Sequence, residues 1–150
     1  MNRIDRVRTR RKATHFRDAL LNVAGAFTVG VKESWEEVYF AFFVSKDGEQ
    51  DAFLAVALMK NSKQLVDYSK YENWTSEYFR AKGLLEKFWV VSQERGEIWH
   101  KVFFCYSCTG EMKFFFGEKP IKNIESVGEV PVEAWTRFLQ ESKGPFSFVV

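Results

Sequence analysis

The sequence has few of the residues on which disulfide scaffolds and metal centres depend. Its 150 residues include only two cysteines, two histidines and three prolines. Two cysteines in so apolar a chain do not make a disulfide scaffold, and the longest apolar runs are far shorter than the ~20 residues of a membrane span. The basic first twelve residues are followed by no uninterrupted apolar stretch and no small-residue cleavage site, so we expect no secretory signal and predict a cytoplasmic protein.

The sequence also lacks the short motifs that mark common active sites. It contains no GxSxG nucleophile elbow, no glycine-rich phosphate loop and no HExxH zinc motif. The two histidines, His15 and His100, are expected to be surface or capped residues rather than catalytic bases. We therefore predict a protein that is not an enzyme and that needs neither a cofactor nor a metal.

Aromatic and apolar residues are abundant. The chain is 46% hydrophobic, with 16 phenylalanines and five tryptophans, which excludes a disordered chain. Six of the 22 basic residues lie in residues 1–12 with one acidic residue, whereas the other 138 residues hold 16 basic and 19 acidic groups, a net of −3. We predict one domain over residues 1–150, with a basic arm (1–12), a globular body (13–142) and a tail (143–150). The arm is either a nucleic-acid contact or, the favoured interpretation, the solvated start of the first helix.

The spacing of apolar residues predicts the order of the elements. Phe16, Leu20, Val23 and Phe27 fall on one face of a helix. Strands are predicted at 38–44, 52–59, 65–71, 98–107 and 112–116. A second helix is predicted from Thr75 or Ser76 to about Arg95, and a short last helix from Pro131, with Trp135, Phe138 and Leu139, ending at Gly144-Pro145. The order α-β-β-β-α-β-β-α indicates an α+β fold, with an antiparallel sheet of about five strands and helices packed on one face.

Cys105 and Cys108 lie in the stretch FFCYSCTGEMKFFF, residues 103–116. A thioredoxin-type CxxC sits at the start of a helix, but strand-like residues surround this one. A structural zinc needs four ligands, and neither histidine has a second ligand at short spacing. We therefore expect both cysteines to be reduced, metal-free and structural.

The same stretch predicts a β-hairpin. With Thr109-Gly110 as a two-residue loop, Tyr106 pairs with Lys113 and Phe104 with Phe115, and directly opposed residues share a face. One face would then mix aromatic and charged residues and serve as a partner-binding site, with these members: His100, Phe104, Tyr106, Lys113 and Phe115. A three-residue loop would exchange the faces of one strand.

Two segments together suggest a family. SWEEVY at 34–39 leads into an aromatic strand, and EIW at 97–99 is followed by TGE at 109–111 and KFFF at 113–116. Over roughly residues 30–118 the chain resembles the YezG-like immunity proteins, whose pattern has a "WEKVY"-type strand and a later aromatic hairpin. The chain departs from that pattern in its basic arm and in the GEKP that follows the hairpin.

The resemblance implies an immunity protein, or antitoxin, of a bacterial toxin system. Such a protein binds the C-terminal toxic domain of a cognate secreted effector, a nuclease being one candidate class, and blocks it by occupancy rather than catalysis. The expected oligomeric state is a monomer or weak dimer. The residues expected to be structural are Trp35, Tyr39, Trp99, Gly110 and Phe116.

Two alternatives stay open. A secretion chaperone would share the order of elements and bind an effector, but such proteins are acidic homodimers and this chain has a pI of about 8.5. A nucleic-acid-binding protein would rest on the basic arm alone.

Overall fold

A computed structural model describes residues 3–120 and 148–149, with side chains from His15 to Pro120. The elements in chain order are α1 (Arg3–Thr28), β1 (Trp35–Val44), β2 (Asp51–Met59), β3 (Leu65–Asp67), a 3₁₀ turn (Tyr71–Asn73), α2 (Ser76–Glu94), β4 (Lys101–Ser107), β5 (Met112–Gly117) and β6 (Phe148–Val149). Neither helix has an apolar stretch that could cross a membrane, over the residues described.

The strands form one sheet in the order β3-β2-β1-β4-β5-β6. The first five are antiparallel to their neighbours, and the two-residue β6 runs parallel to β5. β1 is central, since it pairs with β2 along one edge and with β4 along the other. The predicted α+β class and antiparallel sheet are confirmed.

Both helices pack on one face of this sheet. The four apolar residues that predicted α1 are all buried, and the Phe27 ring lies 5.2 Å from that of Phe40 on β1. Toward β5, the rings of Phe16 and Phe116 lie 4.7 Å apart. Tyr78, Ala81, Leu85 and Phe88 form the buried face of α2. The main core therefore lies between the sheet and the two helices.

Local hydrogen bonds set the ends of several elements. The Thr75 side chain accepts from the Tyr78 amide at 3.1 Å, which confirms it as the cap of α2. β3 ends at Asp67 instead of the predicted residue 71, because Asp67 Oδ1 accepts from the Ser69 amide (2.9 Å) and turns the chain. β4 begins at Lys101 rather than residue 98.

Near the two ends of the chain, the structure describes only part of the predicted arm, last helix and tail. Helix α1 begins at Arg3, so the backbone of the basic arm is continuous with the first helix. The last predicted helix, from Pro131 through Trp135, Phe138 and Leu139 to Gly144-Pro145, lies outside the described residues. Of the predicted tail, Phe148–Val149 forms β6.

The predicted register of the β4–β5 hairpin is wrong by one residue. Tyr106 pairs with Met112 rather than Lys113, and Phe104 pairs with Phe114 rather than Phe115. The Ser107 amide donates to Glu111 O at 2.9 Å, so the loop contains three residues, Cys108 to Gly110. Gly110 has φ +93°, the conformation that a three-residue hairpin loop with a glycine requires. The side chains of β5 therefore face the opposite way from the prediction.

The second face of the sheet is also apolar. A cluster of six buried residues lies there, Tyr39, Ala41, Phe43, Val56, Cys105 and Phe115. Phe103 stacks on Phe115 with 4.9 Å between the ring centroids. Both faces of the sheet are thus buried in its central strands, which accounts for the high phenylalanine content.

Candidate partner-binding surface

The residues predicted to form a partner-binding face are not brought together. Phe104 is fully buried on the helix side, and Tyr106 is half-buried there, with its ring 5.8 Å from Trp35. Lys113 and Phe115 lie on the other side, and Phe115 is only 6% exposed. The cause is the three-residue loop, which moves the β5 side chains to the opposite face.

His100 is buried as well. Its Nδ1 lies 3.3 Å from Val44 O and 3.2 Å from Ser45 O, so this nitrogen can donate a proton to the backbone where β1 ends. His15 accepts a hydrogen bond from Arg95 Nη1 at 3.1 Å. Each histidine therefore contacts another element, and His100 is buried rather than on the exposed face where the sequence placed it.

The residues expected to be structural mostly lie in the core. Trp99, Tyr39 and Phe116 are fully buried, and Trp35 is partly buried against the main cluster. The Tyr39 hydroxyl donates to the carboxylate of Glu37. Trp99 packs its ring 5.2 Å from Phe116.

Cys105 and Cys108 lie in different environments. Cys105 is buried on the second face of the sheet and Cys108 is exposed in the hairpin loop, and neither forms a disulfide within the described residues. Burial, and then the charge of Glu37, raise the pKa of the Cys105 thiol to about 11. A thiol that stays protonated at neutral pH is a poor nucleophile. No group of three or more potential metal ligands occurs in the part of the chain that the structure describes.

A polar cavity of about 230 Å³ opens beside Cys105. Its other lining residues are Glu36, Glu37, Leu58, Ser107, Glu111 and Lys113. Two of the carboxylates have partners already, since Glu36 pairs with Lys63 at 2.7 Å and Glu37 accepts from Tyr39. The cavity therefore places several charged side chains beside a thiol whose pKa is raised by burial.

The most distinctive surface feature is a row of aromatic rings before and at the start of α2. Tyr71 is 80% exposed, Trp74 46% and Phe79 47%. The Tyr71 and Trp74 rings lie 5.2 Å apart, and those of Trp74 and Phe79 5.1 Å apart, both edge to face. We call these three residues the aromatic cluster.

The aromatic cluster is connected to the core. Phe79 contacts Tyr78 at 5.1 Å, and Tyr78 in turn stacks on Phe53 at 5.1 Å. The Tyr78 hydroxyl donates to Phe53 O at 2.6 Å. Rings so connected lose little conformational entropy when a partner binds them.

Hydrogen bonds from side chains to the backbone fix Trp74 and its neighbour Asn73 in place. Trp74 Nε1 donates to Ser69 O at 3.0 Å, and Asn73 Nδ2 donates to Asp67 O at 2.9 Å. Sequence reasoning missed this surface, although the stretch YENW at 71–74 offered a signal: two aromatic residues three apart directly before a helix cap.

The chain matches no protein-family model, and it matches none of the curated protein sequences.

Proposed function

We propose that the protein is an immunity protein, which binds the toxic C-terminal domain of a cognate secreted bacterial effector and neutralises it by occupancy. The observation that carries the proposal is the aromatic cluster of Tyr71, Trp74 and Phe79. Aromatic residues supply most hot spots of protein interfaces, because each buries a large area at low entropic cost.

The surroundings of the aromatic cluster support protein binding. Lys70 and Glu72 flank Tyr71, and Arg80 follows Phe79, so charges of both signs border the rings. An apolar centre with a polar, charged rim is the usual anatomy of a specific interface. The three rings at these exposures offer an apolar patch of roughly 300–400 Å², the size at which patches on a monomer are often functional.

The proposal requires a large secreted protein with a C-terminal toxin domain to be encoded beside this chain, and it is tested with that domain. Co-expression of the wild-type chain should restore growth to cells that produce that domain, and the two purified proteins should form a complex. Tyr71→Ala should weaken the complex by about 2 kcal/mol or more, roughly thirtyfold in Kd, measured by calorimetry.

The matched control is Val29→Ala. Val29 is exposed to the same 80% but lies in the turn directly after α1, outside the aromatic cluster. The Val29→Ala variant should bind the toxin domain with the wild-type Kd. Both variants should keep the wild-type Tm within about a degree, since exposed side chains contribute little to the core. A neighbouring toxin domain that this chain neither binds nor neutralises would contradict the proposed function.

A further inference from the structure

The exposed apolar residues are concentrated along α2. Of the eight large hydrophobic residues that are exposed between His15 and Pro120, six lie between Tyr71 and Ile98, and three of them, Phe79, Val90 and Val91, are on α2 itself. A helix of 19 residues is ~28 Å long. Phe79 and Val90 point away from the sheet, opposite the buried face that contains Leu85.

Gly83 lies between Phe79 and Val90, at the centre of this outward face. A Cβ at Gly83 would meet nothing within 4 Å, so the packing of the chain on itself does not require a glycine there. Its φ is not positive either. A glycine in a helix interior lowers helix stability, whereas a glycine on an exposed face allows another backbone to approach closely.

The charges on this face indicate which partner fits. The exposed charged residues of the outward face are Arg80, Glu86, Lys87 and Glu94, two of each sign. A surface that pairs with itself must be close to neutral, because a net charge would repel its own copy. Antiparallel pairing also places the positive end of each helix dipole near the negative end of the other.

We propose that the outward face of α2 is a self-association surface, on which α2 of a second copy packs antiparallel about a two-fold axis near Gly83. A two-fold contact is isologous, so Phe79 of each copy faces Val90 of the other. The helix α2 can pack against a copy of itself in this way, because it carries one exposed apolar residue on each side of a glycine, Phe79 before it and Val90 after it. One helix pair is smaller than a standard interface of ~800 Å² per partner, so the dimer is weak and forms in the micromolar range or above.

Sedimentation velocity of the purified chain tests the proposal, without any toxin. The mass should rise from one chain toward two between about 5 and 500 μM. Val90→Arg should keep the protein monomeric throughout that range, whereas Val29→Arg, at an exposed valine directly after α1, should leave association unchanged. A wild-type monomer at the highest concentration, or equal effects of the two variants, would overturn the proposal.

Gly83→Ala separates association from folding. The alanine should raise the Tm by about 2–4 °C through helix propensity while raising the dimer Kd at least about tenfold. Gly25→Ala is the matched control, because Gly25 is also helical with nothing within 4 Å of its added Cβ. It should give a similar rise in Tm and leave the dimer Kd unchanged. An unchanged Kd in Gly83→Ala would overturn the close helix approach.

Disulfide trapping tests the orientation. In a Cys108→Ser background, Phe79→Cys and Val90→Cys chains mixed together should oxidise to a mixed dimer, since antiparallel pairing brings these positions together. Each chain alone should cross-link at least about tenfold more slowly. Faster trapping of either chain with itself would overturn the antiparallel arrangement. A weak dimer would also differ from the obligate homodimer that the secretion-chaperone alternative predicts, so the outcome bears on that alternative independently of toxin binding.

Discussion

Trp99 combines a buried ring with a buried indole N–H group that has no hydrogen-bond partner in the described part of the chain. It is fully buried, and its ring lies 5.5 Å from Phe88 and 5.2 Å from Phe116. Its Nε1 has no hydrogen-bond partner among the described residues. A buried donor without a partner costs about 1–3 kcal/mol, so the stabilising effect of Trp99 must come from its ring.

We therefore expect two substitutions at Trp99 to differ sharply. Trp99→Ala should lower the free energy of unfolding by about 3–5 kcal/mol, because it leaves a large cavity. Trp99→Phe should cost about 1 kcal/mol or less, since it keeps a ring and removes the unpaired donor. Urea unfolding measures both, with Trp35→Ala as the control at a partly buried tryptophan. Equal losses in the two Trp99 variants would show that the indole nitrogen is satisfied in solution.

At the scale of elements, the β1–β2 turn and α2 depend on each other through one glycine. Gly48 has φ +79°, and a Cβ there would lie 2.5 Å from the Trp89 ring. Trp89 cannot easily move away, because its Nε1 donates to Trp99 O at 2.7 Å. The turn therefore needs glycine both for its backbone and for its contact with the helix.

Gly48→Ala should destabilise the protein more than Gly110→Ala. Both glycines have positive φ, which costs a non-glycine residue about 1–2 kcal/mol, but a Cβ at Gly110 would meet nothing within 4 Å. The contact with Trp89 should add about 1–3 kcal/mol for Gly48→Ala. Thermal unfolding of the two variants provides the comparison, and similar Tm values would mean that the Trp89 ring yields without cost.

The elements also show what the sequence could predict. The first helix, the cap at Thr75 and the central strands follow from local spacing and composition, and the predicted bounds of β1 and β2 came within three residues. The register of the β4–β5 hairpin does not follow from local spacing, because it depends on whether Cys108 belongs to the strand or to the loop. The registers with a two-residue and with a three-residue loop both place aromatic residues on both faces of the sheet, so the hydrophobic pattern alone cannot distinguish them.

At the scale of the whole molecule, sequence reasoning failed to separate buried from exposed aromatic residues. Phe104 and Phe115 lie in an aromatic hairpin and are buried, whereas Tyr71 and Trp74 lie in a short polar connection and are exposed. Both pairs have charged residues nearby in the sequence. The difference comes from tertiary packing on both faces of one sheet, which no local pattern records.

The same two-sided packing predicts how stability depends on pH. Burial raises the pKa of Cys105 on one face to about 11 and that of Tyr78 on the helix side to about 12. In the unfolded chain these groups titrate near their ordinary values of 9.0 and 10.0. Above pH 9 the unfolded state therefore binds fewer protons than the folded state, and the free energy of unfolding falls as pH rises.

The stability that these two groups contribute should be fully present below pH 9 and lost progressively as the pH rises through about 11 and 12. Urea unfolding at a series of pH values measures this loss. Tyr78→Phe should be less stable at neutral pH, because it lacks the hydrogen bond to Phe53 O, but its stability should fall less steeply in alkali. Cys105→Ala should likewise make the free energy of unfolding fall less steeply between about pH 9 and 11. Cys108→Ala, at an exposed thiol, should not change that slope. If the free energy of unfolding falls equally steeply above pH 9 in Cys105→Ala, Tyr78→Phe and the wild type, neither group is held protonated by the fold.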